Sequence, residues 1–348
     1  LKSQRIGIFE ERILPVTQSP LLSVVVPLYN AGELFAPFMA SLLAQTFEDL
    51  EIIIVDDGST DGSGERADEY ARQKSNITVI HQENGGVSCA RNTGMKHIRG
   101  TYVTFPDADD ILEPDLYSTL MAMVRTDDLD VAQCNALRTS SLYGPGTILI
   151  PLNRLRSTQI MSGTSWLDRA LKTRRYLHVV WLGVYRVSLI KQANLQFVPG
   201  LHHQDILWTT EFMLNARRVR YNERALYHYL LHSESISNRP RVGQPNVEYQ
   251  RHYLRICQRL EELNQQYSHS VKIHRSFHAQ IFREALIVCH AIRREPDEAA
   301  RQAMIADFLA TDTLSRMRRN ARGLKQRYHL LLWHYRLWWW RKSAQAHT

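Results

Sequence analysis

Three short apolar runs constrain this chain most: Leu22-Ser-Val-Val-Val-Pro-Leu28, Glu51-Ile-Ile-Ile-Val55 and Ile77-Thr-Val-Ile80. A strand with apolar residues at successive positions is buried on both faces, which requires a sheet covered by helices on both sides. The intervening segments have helical spacing. Leu34 to Gln45 is predicted to present Leu34, Phe38, Leu42 and Leu43 to the core, and Gly64 to Gln73 forms a second helix. The β-α-β-α-β order implies right-handed crossovers, hence an α/β fold with a mainly parallel, Rossmann-like central sheet flanked by helices. No GxGxxG follows the first run, so a dinucleotide fold is not indicated.

Ligands of such sheets sit beyond the carboxyl ends of the strands. Each run here ends in polar, ligand-capable residues: Tyr29 and Asn30, then Asp56 and Asp57, then Glu83-Asn-Gly-Gly86. A fourth run, Thr101 to Phe105, leads into Asp107-Ala-Asp-Asp110. Three carboxylates in four positions repel one another, and solvent or a divalent cation relieves the cost. Hard oxygen ligands suit Mg²⁺ or Mn²⁺ bridging to substrate phosphates. The bland alternative is a turn with a capping Asp. On the metal reading, the cluster is expected to lack a counter-charge of its own until cation and pyrophosphate arrive.

At 348 residues the chain suggests one large or two modest domains, and its net charge of +8 favours anionic partners. Four scattered cysteines, without CxxC spacing, read as thiols in a reducing compartment. There is no signal-peptide-like h-region and no window of about 18 uncharged apolar residues. The expected location is therefore cytoplasmic, with peripheral attachment to a membrane left open. Residues 1–20 read as an extension and 21–237 as the catalytic unit. Residues 238–348 read as a helical region with faces at Tyr249, Tyr253, Ile256, Leu260 and Leu263 and at Phe282, Leu286 and Cys289. No acidic residue follows Asp312, whereas arginines, lysines and six tryptophan or tyrosine residues crowd 314–342. That segment is too short to span a bilayer, and is expected to lie on an anionic membrane surface. The competing readings are a tryptophan core, a solvated basic face, or nucleic-acid binding; no nucleic-acid partner is expected.

Ser23-Val-Val-Val-Pro-Leu-Tyr-Asn30, Asp56-Asp-Gly-Ser-Thr-Asp61, Asn84-Gly-Gly-Val-Ser-Cys-Ala-Arg-Asn-Thr-Gly94 and Asp107-Ala-Asp-Asp110 resemble, in order, the motifs of the family 2 glycosyltransferases. These are inverting, nucleotide-sugar-dependent enzymes of GT-A fold. Later stretches, among them His178 to Arg186, Leu201 to Phe212 and Tyr249 to Tyr253, are similar to the glucuronosyltransferases that act on heptose III of the bacterial lipopolysaccharide core. The resemblance implies a UDP-sugar donor, a lipopolysaccharide-core heptose acceptor, Mg²⁺ or Mn²⁺, and work at the cytoplasmic face of the inner membrane.

It also implies roles. Pro27, Tyr29, Asn30, Asp57, Asn84, Gly85, Arg91, Asp107 and Ala108 bind the nucleotide sugar, with Tyr29 under the base, Asp57 on the uracil imide and Asp107 on the ribose. Asp109 holds the metal, Asp110 orients it, and His232 is a further metal or phosphate contact, with Ser235 and Ser237 beside it. Asp205 is the general base, although Gln204 replaces the usual acid before it; Glu211 is the fallback. Bland readings stand beside these, an Asx-turn for Asp57 and an N-cap for Asp205. His202, His203 and Trp208 are placed on the acceptor side. Trp181 and Tyr185 either wall that side or belong to the core. Arg174, Arg175, Arg186 and the two histidines compete to recognise a donor carboxylate.

Overall fold

The computed structural model describes residues 20–142, 144–173, 178–232 and 240–345; Arg174, Arg175, Ser235, Ser237 and residues 1–19 lie outside them. The chain runs β1 (Leu22–Leu28), a 3-10 turn, α1 (Phe35–Leu43), β2 (Leu50–Asp56), α2 (Ser63–Gln73), β3 (Ile77–His81), α3 (Val87–His97), β4 (Tyr102–Thr104) and β5 (Ile111–Leu112). It continues through α4 (Leu116–Asp127), β6 (Val131–Thr139), β7 (Thr147–Ile148), α5 (Gly163–Lys172), β8 (Gly183–Arg186), α6 (Val187–Gln192), α7 (Asp205–Asn215) and β9 (Val219–Leu230). Five helices close it: α8 (Gln244–Gln266), α9 (Val271–Arg294), α10 (Glu298–Ala310), α11 (Thr313–Asn320) and α12 (Leu324–Gln345).

The sheet order is β3-β2-β1-β4-β8-β6-β9-β5, with β7 beside β6. Strands β3, β2, β1 and β4 are parallel, as expected from their crossovers, while β8 enters antiparallel to both β4 and β6. Alternation along each strand divides the core. Val24, Val26, Ile52 and Ile54 pack with Phe35, Phe38, Met39 and Leu42 of α1 on one face. Val25, Ile53, Val103 and Phe105 pack with residues of α5 and α7 on the other. The α1 core face is thus Phe35, Phe38, Met39 and Leu42 rather than one that includes Leu43, which is exposed. The 3-10 turn at Gly32–Leu34 rotates the start of the helix and carries Leu34 out of the core stripe.

Chain reversal after β3 defines the ligand side. From β1 the chain moves outward to β2 and β3, then returns to place β4 on the other side of β1, so β1 and β4 flank a switch point. Their pairing extends only through Val24↔Thr104, so Pro27 and Leu28 continue without a partner strand on that side. Proline costs no ladder hydrogen bond there, and in open sheets of this kind the ligand crevice lies at such a switch point.

The helical region is not a separate ball. Ile256, Leu260, Leu263, Ile273, Phe277 and Ile281 join the core behind the sheet, while Cys257, Phe282, Val288, Cys289, Phe308 and Trp333 build a further core among α8–α12. Buried within α9, Glu284 has its carboxyl pushed up to about 7, burial outweighing the attraction of Arg283. A carboxyl with that shift holds more protons folded than unfolded, so its stability contribution falls as pH rises from about 4.5 to about 7. Glu284→Gln removes the cost of ionisation. We expect it to gain up to about 3 kcal/mol at pH 8 and nothing at pH 4, read by chemical denaturation at both values; an equal difference at both would contradict the assignment.

Candidate active site

The site forms where the carboxyl ends of β1, β2, β3 and β4 meet. Tyr29 projects there with 52% of its surface exposed, a flat aromatic face at the mouth of the crevice. Asn30, in the left-handed region, ties two strand ends together: its N–H donates to Ser59 Oγ (3.1 Å) and its Oδ1 accepts from Thr60 N–H (2.8 Å). Asp57 accepts from Gln82 Nε2 at 2.6 Å and from the N–H groups of Gly85 and Gly86 at 2.9 and 2.7 Å. It therefore shapes the Asn84–Gly86 loop that leads into α3. Gly86 has φ +84°, a conformation a side chain would strain. The alternative of an Asx-turn at Asp57 is not what forms: Ser59 N–H bonds Asp56 Oδ1, and Asp57 bonds Gln82, Gly85 and Gly86 instead.

Helix α3 lies against β1 through Gly94, where a Cβ would come within 2.3 Å of Val25 Cγ1. That close approach delivers Arg91, only 3% exposed, to the centre of the site. Its Nη2 donates to Asp107 Oδ1 (2.8 Å), its Nη1 donates to Asp205 Oδ1 (3.0 Å), and its guanidinium lies over Phe197 (5.3 Å). Burying one guanidinium is costly, and two carboxylates offset that cost. The acidic cluster thus has its own counter-charge, contrary to expectation. Asp109 is also partnered, by His232 Nε2 at 2.8 Å.

Strand β9 organises the cluster from behind. The Tyr227 hydroxyl donates to Asp110 Oδ2 (2.7 Å) and accepts from Asp107 N–H (3.1 Å), while Leu230 N–H donates to Asp110 Oδ1 (2.8 Å). Trp181 stacks on Tyr227 at 4.3 Å. Burial and the neighbouring Asp109 and Asp107 hold the Asp110 carboxyl well above the usual range. The Asp107 carboxyl is raised too, by burial first and then Asp109 and Asp205, against the pull of Arg91. Ala108 is buried between them. Oxygens of Asp107, Asp109 and Asp110 all lie within 4.8 Å of one another. This all-oxygen donor set fits Mg²⁺ or Mn²⁺. Asp110 is already enclosed by β9, so Asp109, the more accessible carboxylate, and Asp107 would hold the ion, with His232 within hydrogen-bond reach of Asp109.

Asp205 faces the cluster from across Arg91. It is the first residue of α7, not its N-cap; Gln204 occupies that position without a capping bond. Burial raises the Asp205 carboxyl above the ordinary range, against the opposing effects of Arg91, the Gln204 side chain and Val180 N–H. The start of α7 is pinned from the helical region: Gln280 Nε2 donates to His178 Nε2, His178 Nδ1 meets Thr209 Oγ1, and that hydroxyl donates to Asp205 O. Glu211 points elsewhere and pairs with Arg259 of α8.

Several expected wall residues prove to be core. Tyr185 is fully buried and Trp208 is 2% exposed; Trp208 packs edge-to-face with both Phe105 and Tyr185 and stacks on Phe197 and Phe212. Trp181 is likewise buried, so its contribution is to Tyr227 rather than to a sugar. Large aromatic side chains following a strand fill the layer between sheet and helix wherever such a layer exists. Arg186 sits at the opposite edge of the sheet, beside the start of β4, paired with Asp128 and stacked over Tyr102. It cannot reach a donor sugar. His202 and His203 do lie beside Asp205, against α8. What sequence reasoning missed is Arg91 as a bridge, Tyr227 as the organiser of the cluster, and the part α8 plays.

A switch-point crevice with an acidic cluster, an exposed aromatic and a buried arginine that reaches a facing carboxylate defines a sugar-nucleotide transferase site on an α/β sheet. The model of glycosyl transferase family 2 matches residues 23–162, and that of the glycosyltransferase YibD C-terminal domain matches 242–348. The chain is 50% identical over 326 residues to the uncharacterized glycosyltransferase YibD of Escherichia coli K12, covering 94% of this chain and 95% of that one. It is 36% identical to the uncharacterized glycosyltransferase EpsJ of Bacillus subtilis 168, covering 67% of this chain and 68% of that one. Among solved structures, S. aureus TarS 1–349 in complex with UDP-GlcNAc shares the fold, with a TM-score of 0.57 at 18% identity over 85% of this chain and 90% of that one. A mannosyltransferase from Pyrobaculum calidifontis, in complex with GDP-Man and Mn²⁺, does so with a TM-score of 0.51 at 16% identity over 92% and 85%. The chain belongs to the family 2 glycosyltransferases.

Proposed function

We propose that this enzyme is an inverting, metal-dependent transferase that moves a uronic acid, specifically glucuronate, from its UDP-sugar to a heptose of the lipopolysaccharide inner core. It works at the cytoplasmic face of the inner membrane. The observation that carries the mechanism is Asp205 held opposite Asp107 by Arg91. Tyr29 stacks the base and the Asn84–Gly86 loop approaches the nucleotide. Asp205 takes the proton from the acceptor hydroxyl as its oxygen attacks the anomeric carbon and the bond to UDP breaks. A divalent cation, when bound at Asp109 and Asp107, supplies charge neutralisation for the departing diphosphate. Arg91 keeps the base ionised and aimed. For donor and acceptor, support comes from the likeness of the later motifs to heptose-directed glucuronosyltransferases and from the net charge of +8. The ligands in the two solved relatives of this fold support a nucleotide sugar and Mn²⁺.

The test is a donor screen by mass spectrometry on truncated lipopolysaccharide, with UDP-glucuronate, UDP-galacturonate and UDP-glucose in parallel and Mn²⁺ or Mg²⁺ added. Transfer from UDP-glucuronate alone upholds the reading. Transfer from another donor replaces the sugar but keeps the mechanism. Absence of both transfer and UDP-sugar hydrolysis points to a non-catalytic nucleotide-sugar-binding protein.

For membrane attachment, support comes from α12. Trp333 and Leu337 are buried against α10 and α11, so part of the tryptophan cluster is core. The opposite face exposes Leu324, Tyr328, Leu331, Tyr335 and Trp338, spaced by four, three, four and three residues, with Trp339 alongside. Lys325, Arg327 and Lys342 flank that stripe, and Lys342 lies over Trp338. No helix among the described residues is long and apolar enough to cross a membrane. An exposed aromatic stripe edged by cations suits the boundary of an anionic bilayer. The double variant Leu331→Glu, Trp338→Glu is expected to lower co-sedimentation with phosphatidylglycerol vesicles by tenfold or about that, leaving thermal unfolding unchanged. Equal binding of wild type to phosphatidylcholine vesicles would remove the electrostatic part of the argument.

A further inference from the structure

His202 and His203, three and two residues before the base, build with their neighbours on α8 a feature that the donor chemistry does not use. His203 sits in the left-handed region at φ +57°, which a residue with a Cβ adopts only where its surroundings enforce it. In that conformation its Nε2 meets the Tyr249 hydroxyl, and its ring lies 4.7 Å from Tyr253. His202, which is exposed, packs 5.4 Å from Tyr249 and edge-on to His252 at 4.8 Å. Arg241, just ahead of α8, lays its guanidinium over the Tyr249 ring at 3.9 Å. Imidazoles, a phenol and a guanidinium thus form a shelf that begins two residues before Asp205, half of it supplied by the helical region.

The charges on the shelf are specific. Burial and Arg241 keep His202 and His203 below the usual histidine range, and His252 is lowered by burial, His202 and Arg255 against Glu248. At neutral pH the imidazoles are therefore uncharged hydrogen-bonding and stacking groups, and the positive charge comes from arginine. Flat neutral rings beside a guanidinium suit a sugar ring that bears an anion.

We propose that this shelf is the acceptor subsite, taking a saccharide with a phosphate or carboxylate substituent: its ring packs on His202 and Tyr249, and Arg241 pairs with the anion. The hydroxyl to be glycosylated is then presented to Asp205, and the helical region, rather than the sheet, selects the acceptor. The inference rests on Asp205 as the base and is independent of which sugar the donor carries.

Titration of the whole protein, saturated with UDP and Mn²⁺, tests it with three probes: maltotriose, phosphorylated maltotriose and trigalacturonate. Calorimetry or saturation-transfer NMR gives the affinities. At least one anionic probe is expected to bind about tenfold more tightly than maltotriose, and whichever binds more tightly separates phosphate from carboxylate. Arg241→Gln is expected to level that difference, and Tyr249→Ala to weaken all three, with UDP affinity serving as the check on folding. No preference for charge, no binding of any probe by a protein that still binds UDP, or a preference that survives Arg241→Gln would each overturn the subsite. Because no donor sugar is present, a failed donor screen and a failed titration are distinguishable.

Discussion

Asp205→Asn is expected to lower transfer by about 10²- to 10⁴-fold, the usual worth of a positioned general base, while leaving UDP affinity unchanged. The substitution is isosteric and keeps an oxygen for Arg91 Nη1, so Arg91 retains its bond to Asp107 and the nucleotide side of the site is undisturbed. Loss of activity with loss of UDP binding would instead mark Asp205 as structural. The pH profile gives a second readout. A base works ionised, and burial holds the Asp205 carboxyl above the ordinary range. Wild-type turnover is therefore expected to fail on the acid side at a higher pH than an unperturbed aspartate would give, and the variant's residual turnover is expected to lack that limb. Retention of more than a tenth of the activity would remove Asp205 from the role. Glu211, tied to Arg259, is not placed to replace it.

The parts of this site that are local were legible in the sequence. Strands β1, β2 and β3 announced themselves because parallel strands buried on both faces need continuous apolar runs, and their polar ends fall on one edge by topology alone. The acidic cluster was equally plain. Partnerships between distant segments were not. Arg91 on a helix reads as a solvated cation, and only the close approach of α3 to β1 at Gly94 carries it inward to meet Asp107 and Asp205. Aromatic residues near a presumed sugar site invite assignment to its wall, yet Tyr185 and Trp208 fill the layer between sheet and α7. The α12 segment held two answers at once. Its seven-residue alternation places Trp333 in the core and Trp338 in solvent, so core and surface readings each describe one face. His203 left no sequence signal, since a left-handed backbone at a residue other than glycine shows only in three dimensions.

Arg91→Met is expected to destabilise the fold by about 3 to 5 kcal/mol, the range for removing one partner of a buried charge pair, and to abolish transfer. The shape is nearly conserved, so packing over Phe197 survives and the loss is electrostatic. Asp107 and Asp205 are left facing each other across an apolar side chain, and each repels the other's ionisation. Their folded-state pKa values then rise further above those of the unfolded chain. The deficit is thus expected to be small at a pH low enough to protonate both carboxylates in the folded wild type and to grow as pH rises through their raised folded-state values, about 7 for Asp107, in the same direction as for an ordinary salt bridge lost on acidification but displaced to higher pH. Adding Asp205→Asn to Arg91→Met removes one of the stranded charges and is expected to recover about half of the stability without recovering activity. Denaturant unfolding of the wild type, both single variants and the double variant at pH 5 and pH 8 reads this directly. A deficit independent of pH, or a double variant less stable than Arg91→Met, would mean that Arg91 is held by packing and that the acidic cluster is neutralised by other means.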